Sequence, residues 1–144
     1  MRALLDVNVL IALLDEAHLH HVRAFSWLER NIQLGWATCP ITQNGCIRIM
    51  SQPGYPGALP AAAVAGRLAE AANNSDHEFW PDDVNLLKEG CLDWSRLLGH
   101  RQVTDAYLVT LAVRHQGRLV TMDRRISHDV VANAKPQSLM IISE

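Results

Sequence analysis

Short apolar segments alternate with longer helical stretches along the whole chain. The apolar segments lie at residues 2–5, 36–39, 77–80, 118–122 and 139–142. Their length is typical of strands that are buried on both faces of a sheet. Two parallel strands need a long crossover between them, which is usually a helix. The alternation therefore predicts an α/β fold with a mainly parallel central sheet.

Helices are predicted in the stretches between these strands. They are expected at residues 20–32, from 40 to about 51, at about 61–73, at 83–98 and at 103–115. In the last of these helices, Thr104 is the predicted N-cap, and Val103 is expected to pack against Leu108. Residues 51–60 read Ser-Gln-Pro-Gly-Tyr-Pro-Gly-Ala-Leu-Pro, and this density of proline and glycine predicts a loop.

The composition is that of an ordinary globular domain. Of the 144 residues, 49% are hydrophobic and 19% are charged, which excludes a disordered chain. Chains of this length usually form one domain, so we predict a single domain over residues 1–144. The net charge of -2 does not by itself indicate a nucleic-acid partner. All basic residues except Lys88 and Lys135 are arginines, which can bind phosphate through a planar fork.

The cysteines and the N-terminus indicate a cytoplasmic protein without a membrane segment. Cys39, Cys46 and Cys91 are odd in number and lack CxxC spacing, so we expect reduced, buried thiols and no zinc site. The apolar N-terminal run is interrupted by Asp6 and Asn8 and is too short to span a bilayer.

Two aspartates directly follow predicted strands. Asp6 follows the strand at 2–5, and Asp123 follows the strand at 118–122. Ligands bind beyond the carboxyl ends of parallel strands, so these two side chains would share a crevice if their strands are neighbours. Asp105 lies at the predicted start of a helix, where the positive end of the helix dipole favours an ionised carboxylate.

Three carboxylates in one crevice would repel each other and raise their own pKa values. A hard divalent cation relieves this repulsion, and a ligand set made only of oxygens suits magnesium or manganese better than zinc. An aspartate after a strand is more commonly a turn or cap residue, so one such position alone indicates little. Together, Asp6, Asp105 and Asp123 predict a site for Mg²⁺ (or Mn²⁺).

Three segments of the sequence resemble one known family. They are Leu-Leu-Asp-Val-Asn-Val-Leu-Ile at 4–11, Thr-Asp-Ala-Tyr-Leu at 104–108 and Gly-Arg-Leu-Val-Thr-Met-Asp-Arg at 117–124. These motifs resemble the PIN-domain family and, more narrowly, the VapC ribonuclease toxins of type II toxin–antitoxin systems. The resemblance extends from one end of the chain to the other, and the last two motifs are the most specific.

The resemblance implies a PIN-like three-layer α/β/α fold and a Mg²⁺-dependent endoribonuclease that hydrolyses RNA. Asp6, Asp105 and Asp123 correspond to the acidic cluster of the family, so they are the expected catalytic and metal-binding residues. A VapB-type antitoxin that blocks the crevice is the implied partner, and the toxin is expected to form a homodimer. Sequence preference for the RNA is expected to lie in loops such as 51–60.

Five further residues are expected to contact the substrate or to orient water, namely Asn8, Gln43, Asn44, Arg48 and Arg124. The family usually carries a glutamate in the helix after the second strand, and one branch carries it two residues earlier. Here these two positions are Gly45 and Gln43, so the carboxylate is missing. This departure predicts a weaker metal site that holds one ion at most. Gly45 is expected to be closely packed.

Two other functions are compatible with the same residues. An aspartate-nucleophile phosphotransferase would also place Asp6 after a strand, but it would normally need an acid where Asn8 stands and a lysine before the last motif. A PIN-like module that binds RNA or a partner without cutting is the second alternative, and the missing glutamate keeps it open.

Overall fold

The computed structural model describes residues 1–143 and contains a five-stranded sheet. Its strands are β1 (Ala3–Leu5), β2 (Trp36–Thr38), β3 (His77–Phe79), β4 (Arg118–Thr121) and β5 (Leu139–Ile141). Each neighbouring pair is parallel, and the spatial order is β3-β2-β1-β4-β5. The predicted α/β fold with a mainly parallel sheet is confirmed.

The helices lie between the strands, mostly where the sequence predicts them. They are α1 (Val7–Leu14), α2 (His21–Asn31), α3 (Pro40–Met50), α4 (Ala61–Ala72) and α5 (Gln102–Arg114). Pro40 occupies the first turn of α3, where its missing N–H has no helical partner to lose. Within residues 1–143, no helix is both long enough and apolar enough to cross a membrane.

The sheet is the middle of three layers. Successive residues of a strand point to opposite faces. Leu4 and Leu119 point towards α5, where they pack in one apolar cluster with Leu108. Leu5 and Val120 belong to a second cluster with residues of α1, α2, α3 and α4. Because both faces are covered, the strands read as continuous apolar runs in the sequence.

The direction of the chain through the sheet changes at β1. From this central strand the chain proceeds outward to β2 and β3 on one side, and β4 and β5 lie on the other side. Leu4 is paired with Ala37 of β2 and with Leu119 of β4. Such a switch point opens a crevice at the carboxyl ends of the two strands. The residues that follow β1 and β4 therefore meet at one place.

The predicted helix at 83–98 is wrong. Between β3 and α5 the backbone is irregular, apart from a short 3₁₀ turn at Trp94–Arg96. Gly90 has a φ of 80°, a left-handed conformation that cannot continue an α-helix. Leu92 instead forms an isolated antiparallel bridge with Val131 and is buried there. Tertiary contacts bury the apolar residues of this segment without a helix.

The N-cap predicted for α5 is also wrong. The helix begins at Gln102, so Thr104 lies within its first turn. Arg101 precedes the helix with a φ of -68° and a ψ of -20°, and its side chain makes no capping hydrogen bond. The Gln102 side-chain carbonyl accepts a hydrogen bond from the Leu98 N–H at 2.7 Å. Asp105 still lies in the first turn, as the electrostatic argument requires.

Candidate active site

Asp6 caps α1 at the carboxyl end of β1. Its Oδ1 accepts a hydrogen bond from the Val7 N–H at 2.8 Å, and its Oδ2 accepts one from the Thr121 hydroxyl at 2.7 Å. Burial raises the pKa of Asp6, the charge of Asp123 raises it further, and these two hydrogen bonds oppose the change. The carboxylate is therefore oriented firmly in a place that disfavours its negative charge.

Thr121 joins the ends of β1 and β4. Its fully buried hydroxyl also accepts hydrogen bonds from the Asn8 side-chain amide and from the Asp123 N–H, both at 3.1 Å. The Asn8 Oδ1 accepts a further bond from the Met122 N–H at 3.1 Å. Asn8 thus lies beside Asp6 as expected, but both ends of its amide are engaged within the protein. Thr121 was not among the predicted site residues, although a polar residue at the end of an apolar strand was a usable signal.

Asp105 interacts electrostatically with both of the other aspartates. It projects from the first turn of α5 and is partly buried. Burial raises the pKa of Asp105 to about 6, the charges of Asp6 and Asp123 contribute to the rise, and Arg125 opposes it. We call the place where Asp6, Asp105 and Asp123 meet the acidic crevice.

Asp123 differs from Asp6 and Asp105 because an arginine side chain binds its carboxylate. The Arg125 guanidinium binds it with two hydrogen bonds of 3.1 Å, one to each carboxylate oxygen. The Arg125 N–H adds a third bond of 2.9 Å to Oδ1. These contacts with Arg125 lower the pKa of Asp123 below its usual value. Its negative charge is therefore already compensated within the protein.

The donors of the acidic crevice suit a hard divalent cation, because they are carboxylate oxygens. In the part of the chain that the structure describes, however, no three acidic, histidine or cysteine side chains are arranged closely enough to hold one ion. Both oxygens of Asp123 face Arg125. Arg125 would have to leave Asp123 before a cation could bind there. Such a cation would relieve the repulsion from Asp6 and Asp123 that, after burial, raises the pKa of Asp105.

Two open cavities flank Asp105. The larger one, of about 500 Å³, is bordered by Ser95, Arg96, Leu98, Gln102, Asp105, Ala106, Arg125, Ile126, Ser127, Asp129 and Val130. The second, of about 450 Å³, is bordered by Leu98, Gly99, His100, Arg101, Gln102, Asp105, Asp123 and Arg125. We call Arg96, Arg101 and Arg125 the basic rim. None of these three arginines is among the five further residues expected from the sequence, and Arg96 lies in the segment 83–98 that was predicted to be a helix.

Comparison with known proteins decides which family this geometry represents. The family model described as PIN domain matches residues 3–130. The chain belongs to the PIN-domain family. It is 50% identical over 139 residues to Ribonuclease VapC44 of Mycobacterium tuberculosis (strain H37Rv), a match covering 96% of this chain and 98% of the relative. Ribonuclease VapC39 of the same strain is 44% identical over 134 residues, covering 92% of this chain and 96% of the relative.

Solved structures show the same PIN fold. The chain resembles a structure of VapBC2 from Rickettsia felis bound to a promoter DNA fragment, with a TM-score of 0.60 and 15% identity. The match covers 91% of this chain and 96% of that one. It also resembles Mycobacterium tuberculosis VapC20, a toxin that cleaves the sarcin-ricin loop, with a TM-score of 0.56 and 12% identity, covering 81% and 85% of the two chains. The predicted PIN-like α/β architecture is confirmed.

Gln43 and Gly45, the two positions at which the family resemblance predicts a glutamate, have different surroundings. The Gln43 side-chain amide donates a hydrogen bond to the Thr38 hydroxyl at 3.0 Å, at the end of β2. The same hydroxyl lies 2.8 Å from the His77 Nε2. Gln43 is therefore held on the β2–β3 side of the sheet, whereas the acidic crevice lies between β1 and β4.

Gly45 packs against the first turn of α1. A Cβ added to Gly45 would lie 2.7 Å from the Val7 Cγ2, closer than such atoms approach each other in proteins. The close packing expected of Gly45 is thus present. Asn44 and Arg48 border a cavity of about 430 Å³ together with Gly45, Val7, Pro40, Ile41, Ile49, Asp82 and Thr104. Two residues of its lining, Val7 and Thr104, are the chain neighbours of Asp6 and Asp105.

The loop at 51–60 lies away from the acidic crevice. The Tyr55 hydroxyl donates a hydrogen bond of 2.5 Å to Asp15, the residue that ends α1. An α-helix rises about 1.5 Å per residue, so Asp15 lies roughly 13 Å along the helix axis from Asp6. The structure places segment 95–102, and not this loop, beside Asp105. Arg124 is exposed next to Asp123.

Proposed function

We propose that this PIN-domain protein is a Mg²⁺-dependent endoribonuclease, with Mn²⁺ as an alternative ion, and that it is the toxin of a toxin–antitoxin pair. The proposed metal ligands and catalytic residues are Asp6, Asp105 and Asp123. One observation carries the proposal above all others. Asp6 and Asp123 follow the neighbouring strands β1 and β4 at the switch point of the sheet, and their charges both contribute to raising the pKa of Asp105 to about 6.

The relatives support RNA as the substrate. VapC44 and VapC39 are named ribonucleases, and they match this chain over almost their whole length. The prediction of RNA hydrolysis made from the sequence agrees with these names. The likeness to VapC20 supports the fold alone, because the identity is 12%.

The partner proposed for this chain is a VapB-type antitoxin. The Rickettsia felis relative was solved as VapBC2 on promoter DNA, which supports a pair of this kind. We further propose a cytoplasmic homodimer in which residues 1–144 form one domain. Light scattering of the purified chain, alone and after coexpression with the product of the adjacent gene, tests both assemblies.

The mechanism follows from how the chain holds its own carboxylates. A bound Mg²⁺ would activate water and neutralise the charge that develops on the phosphate. Thr121 and the Val7 N–H orient Asp6 for this ion, since they occupy defined oxygens of the carboxylate. Asp105 holds a proton below a pH of about 6 and releases it above that value, so the ion competes with this proton.

The basic rim provides positive charge next to the acidic crevice. Arg101 and Arg125 border one of the cavities beside Asp105, and Arg96 and Arg125 border the other. Guanidinium groups bind phosphate oxygens in pairs and so can position an RNA backbone. Asn44 and Arg48 border the cavity of about 430 Å³, and we propose that they contact the RNA there. Exposed Arg124 remains a proposed phosphate ligand. Asn8 remains a proposed site residue that acts through Thr121, and Gln43 remains a proposed substrate contact at the end of β2.

Cleavage of a labelled RNA stem-loop tests the function directly. We expect cleavage with added Mg²⁺ or Mn²⁺, loss of cleavage in a chelator and recovery when the ion is returned. The concentration of Mg²⁺ needed should be high, because the family glutamate is replaced at Gln43 and Gly45. Undiminished cleavage in the chelator contradicts the proposal.

A second function is favoured by one specific observation. Arg125 occupies both oxygens of Asp123, and a family carboxylate is missing, which suits a PIN module that binds RNA without cutting it. Binding and cleavage are separated by measuring both with the same RNA. Tight RNA binding without cleavage, at every concentration of Mg²⁺ or Mn²⁺, would favour the binding module.

A further inference from the structure

Arg125 is placed to make two different contacts. It binds Asp123 through both guanidinium hydrogen bonds, yet its side chain is 81% exposed, against 23% for Asp123. The pair thus lies at the mouth of the acidic crevice, with the aspartate on the inside and the arginine on the outside. An exposed ion pair of this kind contributes little to stability, so it can exchange for another partner.

The two cavities that flank Asp105 share Arg125. It borders the cavity that contains Arg96 and also the cavity that contains Arg101. Arg124, the preceding residue, is exposed and borders neither of these two cavities. A phosphate group that enters either cavity towards Asp105 therefore approaches Arg125.

The charge of Arg125 also acts within the acidic crevice. Asp6 and Asp123 raise the pKa of Asp105, and the positive charge of Arg125 is the contribution that opposes them. The guanidinium thus serves as an internal counter-cation for the carboxylates. A divalent cation would take over this role and would repel the guanidinium, because two like charges would then meet at Asp123.

We propose that Arg125 is an exchangeable phosphate-binding residue. It pairs with Asp123 while the acidic crevice lacks a divalent cation, and it binds a backbone phosphate of the RNA when the cation takes Asp123. The guanidinium fork serves both partners, since it matches the oxygens of a carboxylate and of a phosphate equally. This inference rests on the proposed function. It adds that the arrival of the metal and the capture of the substrate are coupled through one side chain.

Metal binding is the first test. Binding of Mn²⁺, measured by electron paramagnetic resonance without RNA, is compared among the parent chain, Arg125→Gln and Arg124→Gln. Arg125→Gln removes a competing cation that an exposed pair holds weakly, so we expect Mn²⁺ to bind about 2- to 5-fold more tightly. Arg124→Gln removes the same charge from the adjacent residue and should change the affinity less.

RNA binding is the second test and should change in the opposite direction. A fluorescent RNA stem-loop is titrated in the presence of Ca²⁺, which binds oxygen ligands and is used to slow hydrolysis. Arg125→Gln should weaken binding and should reduce the slope of log K against log salt by about 0.7 to 0.9, the values for one lost phosphate contact on a single strand and on a duplex. Without a divalent cation, Arg125→Gln and the parent chain should bind RNA equally.

Tighter Mn²⁺ binding combined with weaker RNA binding, in Arg125→Gln alone, supports the exchange. The proposal is overturned if Arg125→Gln behaves like Arg124→Gln, if both affinities fall together, or if only the Mn²⁺ affinity changes. The inference is rejected, and the proposed function is kept, if the parent chain binds Mn²⁺ and cleaves RNA but Arg125→Gln changes neither the Mn²⁺ affinity nor the RNA affinity. A parent chain that neither binds Mn²⁺ nor cleaves RNA rejects both.

Discussion

The acidic crevice and the basic rim are built in opposite ways. Asp6 and Asp123 lie at the ends of neighbouring strands, where the buried Thr121 hydroxyl bonds to both positions. Arg96 and Arg101 belong to the irregular segment before α5 and are exposed. The sheet thus determines where Asp6 and Asp123 lie, whereas a loop presents Arg96 and Arg101. This difference predicts that changes in the crevice abolish chemistry and changes in the rim adjust substrate recognition.

Removing a charge from the crevice should have the largest effect. Asp6→Asn and Asp105→Asn should each reduce cleavage by more than about 100-fold, because loss of a metal ligand exceeds the 10- to 100-fold typical of residues that support one. Asp123→Asn should reduce it less, since an amide oxygen can complete a coordination shell. Single-turnover cleavage of one RNA measures all three. Glu70→Gln, at an exposed position of α4, is the control, and an Asp6→Asn variant as active as this control would contradict the site.

Thr121→Val should have the second-largest effect on cleavage. It removes the hydroxyl and keeps the shape of the side chain. Asp6 would lose its 2.7 Å hydrogen bond, and the Asn8 amide and the Asp123 N–H would lose an acceptor. We expect cleavage to fall by about 10- to 100-fold and the free energy of unfolding to fall by about 1–3 kcal/mol. Thr121→Ser keeps the hydroxyl and should retain most of the activity. Equal loss in both variants would show that packing, not the hydroxyl, matters.

The next expected effect is a change of about tenfold in Mn²⁺ affinity with pH. The pKa of Asp105 is raised from 3.8 to about 6, so its carboxylate is mostly ionised at pH 7 and mostly protonated at pH 5. Mn²⁺ must displace this proton, and its affinity should therefore fall about tenfold between these two pH values. Titrations at a series of pH values measure this change. Asp105→Asn should bind weakly throughout and should lack the step near pH 6.

The raised pKa of Asp105 also affects the stability of the metal-free protein. Whereas metal affinity rises with pH, this stability falls. The folded protein holds the Asp105 proton more tightly than the unfolded chain does, so the stability that comes from this proton is lost as the pH rises from 3.8 to about 6. Urea unfolding of the parent chain and of Asp105→Asn, compared across this range, should show the loss only where the carboxyl can ionise. An identical dependence in both proteins would assign the effect to other groups.

The smallest expected effect is on stability, and it differs in sign between alanine substitutions at two helical glycines. Gly45→Ala should lower the free energy of unfolding by about 1 kcal/mol or more, because its Cβ would lie 2.7 Å from the Val7 Cγ2 and force a shift there. Gly66→Ala, in α4, meets no atom within 4 Å and should raise it by about 0.5–1 kcal/mol through helix propensity. Urea denaturation measures both. A stabilised Gly45→Ala would show that α1 moves away easily.

Much of the fold was predictable because it depends on local patterns. The apolar runs before Asp6 and Asp123 predicted their strands, and Pro40 marked the start of α3. The predicted helix at 83–98 was wrong, since its apolar residues had no strict period and Leu92 is buried by contact with Val131. A contact between distant residues leaves no periodic signal in the sequence.

The candidate site also has parts that the sequence predicted and parts that it could not predict. The residue types and the positions after strands predicted Asp6, Asp105 and Asp123, and these assignments remain predictions for experiment. Sequence reasoning could not place Gln43, because its bond to Thr38 depends on how α3 lies across β2. Likewise, the pairing of Arg125 with Asp123 depends on a turn after β4.

The sequence by itself determined the family, the parallel α/β class and the order of the carboxylates along the chain, because these follow from the period of apolar residues and from short motifs. Only the tertiary structure decided that β4 lies beside β1 and that Thr121 bonds to Asp6. It also decided that segment 95–102, and not the loop at 51–60, borders Asp105. The physical reason is that strand order and loop placement arise from burial shared between residues far apart in the chain, which no local pattern records.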